Sequence, residues 1–431
     1  MLSWHVPAGD GLQYYALTQE LVAHHRLAFA PPPEPLSWAR LPGYPLFLAF
    51  LAAPAPLGLD QYLLLATLWN VLLDLGSALL MARLLVELRL PRAARFAFVA
   101  TIVCPLMVFL STFGLSESLA TFLATAELYF IARAVQFGTV RNAARAGFFA
   151  GLGQLVRVDA LFLLPSLGLA LMAARSPLRT RLIAALAFAA AMVLTFSPWP
   201  LRNLGEFGAP HATASRWVKQ DGTPQKLTQM ERWFRSWASG APGEAYLQYA
   251  VANEQPLDIH HAGILLPAMY RDDAERSRIE ALFKQYNRTH LTPELDQAFG
   301  DLATERARAD PLRVYWVLPL LRAFYEWHPM PEYELPVRIG WLGLPRLRTF
   351  YGLFEWLLLA LAMFGAVWLW QKRQHLLVGL ITIAGILRTA LPAIFHPFPV
   401  ERYLVEVFPA LMALTGVGAA ALWERLAKRS V

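Results

Sequence analysis

Charge is scarce in this chain. Only 16% of its 431 residues are charged, where a soluble domain carries about a quarter, and 56% are hydrophobic. Cysteine is nearly absent: Cys104 stands alone inside an apolar run, so no intramolecular disulfide can form and redox compartment cannot be read from it. There is no Walker A loop and no GxGxxG fingerprint, which leaves a nucleotide-driven or dinucleotide-dependent mechanism without support. Ordinary metal motifs are missing too. His24-His25 and His260-His261 are adjacent pairs, not the i, i+4 spacing of a helical zinc site. The opening "MLSWHVPAGD" has neither the basic stretch nor the apolar stretch of a signal peptide. No internal repeat is evident, although "AALAFAAAM" at 184–192 is rich in alanine.

What is present is apolar length. Mean hydropathy is +0.39, and the apolar residues cluster into the long runs that a bilayer demands. The 14 Trp, with plentiful Tyr and Phe, suit rings at headgroup level. The net charge is +7, but Lys and Arg fall largely in short loops between apolar runs. Membrane orientation therefore explains them better than nucleic-acid binding does. Crossing the hydrocarbon takes roughly 20 mostly apolar residues. Spans are expected near 61–86, 94–113, 115–135, 146–158, 160–175, 181–199, 350–370, 375–395 and 403–424. The fold class this predicts is an all-α, polytopic transmembrane helical bundle of about nine spans. The fourth and fifth are short and are separated by "RVDA", with Arg157 and Asp159, so two helices meeting at a polar elbow fit better than one long helix.

Alternation then assigns sides. "RLLVELRLPRAAR", "RAVQFGTVRNAAR", "ARSPLRTR", "QKRQH" and the tail "ERLAKRSV" all fall on one side and all are basic, so that side is cytoplasmic. Residues 1–60, the stretch 111–118, the elbow, the segment 200–348 and "HPFPVERY" at 396–403 fall on the other. The domains expected are an outer-face loop at 1–60, transmembrane helices at 61–199, a periplasmic and mainly helical domain at 200–348, and C-terminal transmembrane helices at 349–431. An outer 1–60 with no span before it points to a further first helix upstream of this start; the alternative is an N-out chain that translocates its own head.

Within 1–60, residues 10–27 have helical periodicity and read as an interfacial helix. "APPPEP" at 30–35 cannot be helix interior. "GYPLFLAFLAAPAPLG" is too short to span and reads as a helix dipping against the outer face. In the large segment, Thr292-Pro293-Glu294 has the N-cap, N1 proline and first-turn acid of a helix start, and Asp310-Pro311 repeats the signal. The helix that follows is apolar but carries Arg313 and Arg322, so it is expected to lie on the membrane surface.

Candidate chemistry gathers on the outer side. Asp10, between two glycines, reads either as a helix N-cap or as a base that takes a proton from an incoming hydroxyl, provided partial desolvation raises its pKa. Glu117, in "GLSESLA" at a span mouth, reads as a site acid or as a headgroup-level glutamate. Asn70, Asp74 and Glu127 are deeper and read as hydrogen-bonding groups of the bundle. Arg157, Arg202 and Arg402 fall at outer span ends. Each could snorkel to headgroups; together they could hold a phosphate, with Tyr403 and His396 close to the third. A divalent ion bridging Asp10 and a phosphate is compatible with these residues, although no cofactor is firmly implied.

Four places resemble the GT-C superfamily of polytopic glycosyltransferases, specifically bacterial relatives of dolichyl-phosphate-mannose protein mannosyltransferases and of lipid A aminoarabinose transferase. They are Asp10 with Tyr14; "LPGYPLF", with Tyr44, ahead of a span; "GLGQLVRVDALFLLP" followed by "SPWPLRNLGEFG"; and "ERYLVEVFPAL" opening the last span. The resemblance implies transfer of a sugar, with inversion, from a polyprenyl-phosphate carrier to a lipid, polysaccharide or protein acceptor. The site would face the periplasm from a bacterial inner membrane. Asp10 would act as base or position the acceptor, and Arg157, Arg202, Arg402 and Tyr403 would hold the donor phosphate. Tyr14, Tyr44 and His396 would meet sugar or acceptor. Membrane lipids are the other partners; nucleic acid and nucleotides are not. Many relatives carry a second acid beside the first-loop Asp; here Gly11 stands there, and Glu117 is the candidate replacement. Two other classes compete. A transporter or lipid-linked oligosaccharide flippase would show related halves and polar groups at the midplane. A non-catalytic scaffold would leave the acids unexplained.

Overall fold

The computed structural model describes residues 10–31, 36–37, 40–52, 57–157, 160–165, 167–168, 176–208, 210, 217–218, 224–225, 228–240, 244, 247, 250–251, 255–257, 269–327, 338–339, 342–397 and 401–427. The chain divides into two compact units: residues 1–214, 334–388 and 402–431, and residues 215–333 with 389–401. It is a polytopic helical membrane protein.

The first unit opens with α1 (Asp10–His24) and α2 (Gly43–Ala52) and continues with α3 (Leu59–Glu87), α4 (Pro91–Ile102), α5 (Pro105–Ser111), α6 (Glu117–Phe137), α7 (Val140–Val156), α8 (Leu178–Phe196) and α9 (Pro198–Phe207). Among the described residues, six helices are long and apolar enough to cross a membrane, or seven if the bent pair α4–α5 is one span. This differs from the nine spans expected. The stretch 94–113 is that pair, bent by 49°, because Pro105 lacks the N–H that would continue α4. The stretch 146–158 is the later half of α7, a helix of 17 residues that begins at Val140. Half of 160–175 lies outside the described residues, as do Asp159, His260-His261 and most of "APPPEP".

Burial separates centre from rim. In the last span, Arg402–Ala427, 89% of the apolar window is buried, against 11% in α8, so the former is enclosed by protein and the latter presents Leu182, Leu186 and Leu194 outward. The enclosed helix packs at backbone distance. A Cβ on Gly418 would stand 2.1 Å from the Leu361 carbonyl oxygen, and one on Gly365 would stand 2.0 Å from that of Leu414. Small residues at such a crossing replace the hydrophobic drive that lipid removes.

In the second unit α10 (Thr228–Arg235), α11 (Asp273–Thr289), α12 (Pro293–Ala309) and α13 (Leu318–Glu326) are the main described helices. Trp233, Phe234, Trp237, Phe283 and Phe299 fill its core; each aromatic fully withdrawn from water contributes roughly 1.5–3 kcal/mol. Helix α12 begins where Thr292 accepts from Leu295 N at 3.2 Å, with Pro293 next in line. Asp310 caps the next helical run through Arg313 N at 2.9 Å. Arg306 and Glu275 form a buried two-point ion pair at 2.8 and 3.0 Å. The only strands among the described residues are two short antiparallel pairs, Trp217–Val218 with Pro224–Gln225 and Arg338–Ile339 with Leu342–Gly343. Returning to the first unit, α14 (Leu344–Gln371) leads to α15 (His375–Phe395), whose last residues belong to the second unit, and α16 (Phe408–Ala427) closes the bundle.

Candidate active site

Helix α1 sets the first group. Asp10, Gln13 and Tyr14 lie at i, i+3 and i+4, on one face, and Arg40 meets all three. Its guanidinium bonds the Asp10 carboxylate, its Nε donates to Gln13 Oε1 at 2.7 Å, and it lies 5.7 Å from the Tyr14 ring centre. Tyr14 is fixed edge-on against Tyr44 at 5.1 Å and donates to Ser116 Oγ at 3.4 Å. Tyr44, Leu48, Tyr62, Leu63, Leu119 and Val156 complete the apolar bed beneath it. Burial raises the Tyr14 hydroxyl above its usual pKa, so it stays neutral and acts as a donor.

From Asp10 a chain of ion pairs runs into the bundle. Arg402 Nη2 donates to Asp10 Oδ2 at 2.9 Å, and Arg402 Nε lies 3.5 Å from Glu117 Oε1. Glu117 opens α6, and the same oxygen is 3.5 Å from Arg157 Nη1, just beyond the end of α7. Arg157 Nε pairs with Glu406 Oε1 at 2.9 Å, and Glu406 with Arg388 Nη2 at 3.0 Å. The Tyr403 ring lies under the Arg157 guanidinium at 4.5 Å, and Arg388 donates to the Tyr403 carbonyl. Termini of α1, α6, α7 and the turn Glu401–Val407 ahead of α16 thus meet at one end of the bundle.

Exposure grades along this chain and decides what a ligand can reach. Side-chain exposure is 32% at Asp10, 20% at Arg402 and 12% at Arg157, but 4% at Glu117, 2% at Glu406 and 0% at Arg388. The Asp10–Arg402 end is open to an incoming anion. The Arg388–Glu406 end is closed and braces the turn that carries Arg402. The described members comprise four guanidinium groups and three carboxylates, an excess of one positive charge.

Asp10 departs from its expected electrostatics. Burial pushes its carboxyl up, but Arg40 and Arg402 together outweigh that and hold it at about 2, below the ordinary 3.8. The expectation of a raised pKa is corrected: two guanidinium groups already occupy both carboxylate oxygens. The same pairing bears on metal. Among the described residues no group of three or more His, Cys, Asp or Glu could hold an ion, and a divalent cation at Asp10 would face Arg40 and Arg402. The residues present do not fit a cation there.

Other candidates fall elsewhere. Arg202, on α9, lies over Trp199 at 4.8 Å and donates to Asn203 Oδ1 at 2.8 Å and to the Ser37 carbonyl at 3.3 Å. No described contact joins it to Asp10 or Arg402. His396 belongs to the second unit. Asn70 donates to the Phe113 carbonyl at 2.7 Å, Asp74 accepts from Ser118 at 3.4 Å, and Glu127 is buried in α6. Arg40, Arg388 and Glu406 were not singled out in the sequence. For Arg388 a signal existed, an arginine within "LITIAGILRTALPAIF", since a charge inside a span marks a site or a buried partner.

No family model matches the sequence, and no curated protein matches it. Solved structures do. The archaeal oligosaccharyltransferase AglB from Archaeoglobus fulgidus, in complex with an inhibitory peptide and a dolichol-phosphate, is similar at a TM-score of 0.51 and 14% identity, over 99% of this chain and 48% of that one. The same enzyme tethered to an acceptor peptide gives 0.51 and 13%, over 98% and 46%. ArnT from Cupriavidus metallidurans bound to undecaprenyl phosphate gives 0.41 and 14%, over 96% and 74%. The chain spans about half the length of the oligosaccharyltransferase. The fold is the one shared with the archaeal oligosaccharyltransferase structures.

Proposed function

We propose that this chain is a membrane glycosyltransferase that moves a sugar from a polyprenyl-phosphate-linked donor to an acceptor at the non-cytoplasmic face, with inversion. The observation that carries the reading is the half-open Asp10–Arg402 pair at the head of a guanidinium-rich chain of ion pairs. A bundle with lipid-facing sides lets the donor keep its tail in the bilayer while its phosphate reaches that end. The shared fold with an oligosaccharyltransferase solved with a dolichol-phosphate supports the donor class.

The chemistry follows from the charges. The acceptor hydroxyl oxygen attacks the anomeric carbon as the bond from that carbon to the phosphate oxygen breaks. The polyprenyl phosphate leaves with the electron pair, and the hydroxyl proton passes to the Asp10 carboxylate. Arg402 and Arg157 face the charge that grows on the leaving phosphate. In the donor-free state Asp10 is a poor base, since its pKa is held at about 2 by its arginine partners. A bound phosphate competes for Arg402. Losing that partner raises the pKa of Asp10, so donor binding unmasks the base. Glu117 shares Arg402 and Arg157 and holds them in place for the phosphate.

The test is direct. Membranes carrying the full chain are supplied with labelled polyprenyl-phosphate sugars, hexose and pentose, and transfer to lipid, polysaccharide and protein fractions is measured. Transfer from one of them is expected. Movement of such lipids across the membrane without transfer from any would replace this reading with a flippase.

A further inference from the structure

The helical run 311–326, made of residues 311–312, the π-turn Arg313–Val317 and α13, has its polarity reversed. Its buried stripe at i, i+4 and i+8 is Leu318, Arg322 and Glu326. Its exposed side carries Leu312, Tyr315, Trp316, Leu320 and Phe324, each 57–66% exposed. Helices α11 and α12 of the same unit are ordinary: Ile279, Phe283, Leu295 and Phe299 are buried, while Arg278, Lys284, Gln297 and Arg308 face outward. Water explains the outward side of α11 and α12. It does not explain five large apolar side chains on one neighbouring helix, since an amphipathic helix turns its apolar stripe away from water.

A second observation fixes what covers them. The buried side of the helix is tied to the last two turns of α15, a helix long and apolar enough to cross the membrane. Arg322 Nε donates to the Ala393 carbonyl at 2.7 Å, and Trp327 Nε1 donates to Thr389 Oγ1 at 2.9 Å. Arg235 donates to the Phe395 carbonyl at 2.9 Å, and Arg322 reaches back to the Ala238 carbonyl at 2.7 Å. The end of a spanning helix stands at the boundary between hydrocarbon and headgroups, so the helix bound to it lies at that depth. Tyr and Trp beside Leu and Phe are the residues that settle there.

We propose that the exposed face of residues 311–326 is seated in bilayer lipid at the headgroup–acyl boundary and holds the second unit to the membrane surface. Arg322 is the clamp: its guanidinium is satisfied by backbone carbonyls on both sides and leaves the apolar face free for lipid. The inference stands independently of the transfer reaction.

The single native thiol is buried, so an introduced cysteine can be labelled alone. The full chain carrying Leu320→Cys, and separately Gln297→Cys, is labelled with an environment-sensitive fluorophore and reconstituted in phosphatidylcholine vesicles. Quenching by a lipid spin-labelled near the top of its acyl chain should be about threefold or more stronger at position 320 than at 297, with iodide in the water showing the reverse order. Equal access of iodide to both positions would overturn the proposal. So would protection of position 320 from both quenchers, which would mean that protein, such as a second copy of this chain, covers the face. Tyr315→Cys, on the same face, serves if Leu320→Cys does not fold, and the same outcomes apply.

Discussion

Arg402→Gln separates a donor-binding role from snorkelling. The substitution keeps an N–H donor on the side chain but removes the charge. In the structure Arg402 spends its donors on Asp10 Oδ2 at 2.9 Å and lies 3.5 Å from Glu117 Oε1. A hydrogen bond to a charged group is worth about 1.5–3 kcal/mol. If a donor phosphate takes over that interaction, its loss raises the donor KM by roughly 10- to 100-fold, at about 1.4 kcal/mol per decade. Acceptor KM should change little, because Arg40 still bonds Asp10. The assay is sugar transfer in membranes with donor and acceptor titrated separately. An unchanged donor KM would refute the reasoning and return Arg402 to a lipid-headgroup role. An equal rise in both constants would point to a collapsed site instead.

Further predictions rest on the same chain of charges. The Asp10 carboxyl, lowered to about 2 while Arg40 and Arg402 hold it, is ionised across the working pH range; the stability this lends is present above the ordinary carboxylate value and lost as pH falls through about 2. If donor removes Arg402 from it, the acid limb of kcat should lie at higher pH than that of kcat/KM; coincident limbs would contradict unmasking by donor. At the closed end, Glu406→Gln, which strands the buried Arg388 guanidinium, should cost about 3–5 kcal/mol, and Arg388→Met less, because Arg157 still pairs with Glu406, while the double variant should cost less than the sum. Thermal loss of the folded peak in detergent measures this, and additive costs would show that the 3.0 Å pair is not a unit.

Much of this was legible in the sequence, for identifiable reasons. Alternation of basic loops put Asp10, Glu117, Arg157 and Arg402 on one side of the membrane, and the structure brings those four side chains into one network. Thr292 and Asp310 announced their helices because capping is a local event. The rest depended on distance in the chain. The direction of the Asp10 pKa could not be read from residues 9–29, since one of its two cations lies 392 residues away. Arg202 shared the composition of a phosphate-holding arginine, but the ring faces of Trp199 and Phe207 and a carbonyl oxygen claim it. The bend at Pro105 and the short α7 explain why apolar runs in the sequence exceed the long helices described.

The account rests on Asp10 receiving the acceptor's proton at a site built from arginines. Rates of sugar transfer by Asp10→Asn and by the wild-type chain, measured side by side in membranes with a polyprenyl-phosphate sugar, bear on it most directly. Loss of a general base costs about 100- to 10,000-fold, so kcat should fall by at least the lower figure while the donor KM does not rise, since Arg402 loses its competing carboxylate. Transfer by Asp10→Asn at the wild-type rate would contradict it.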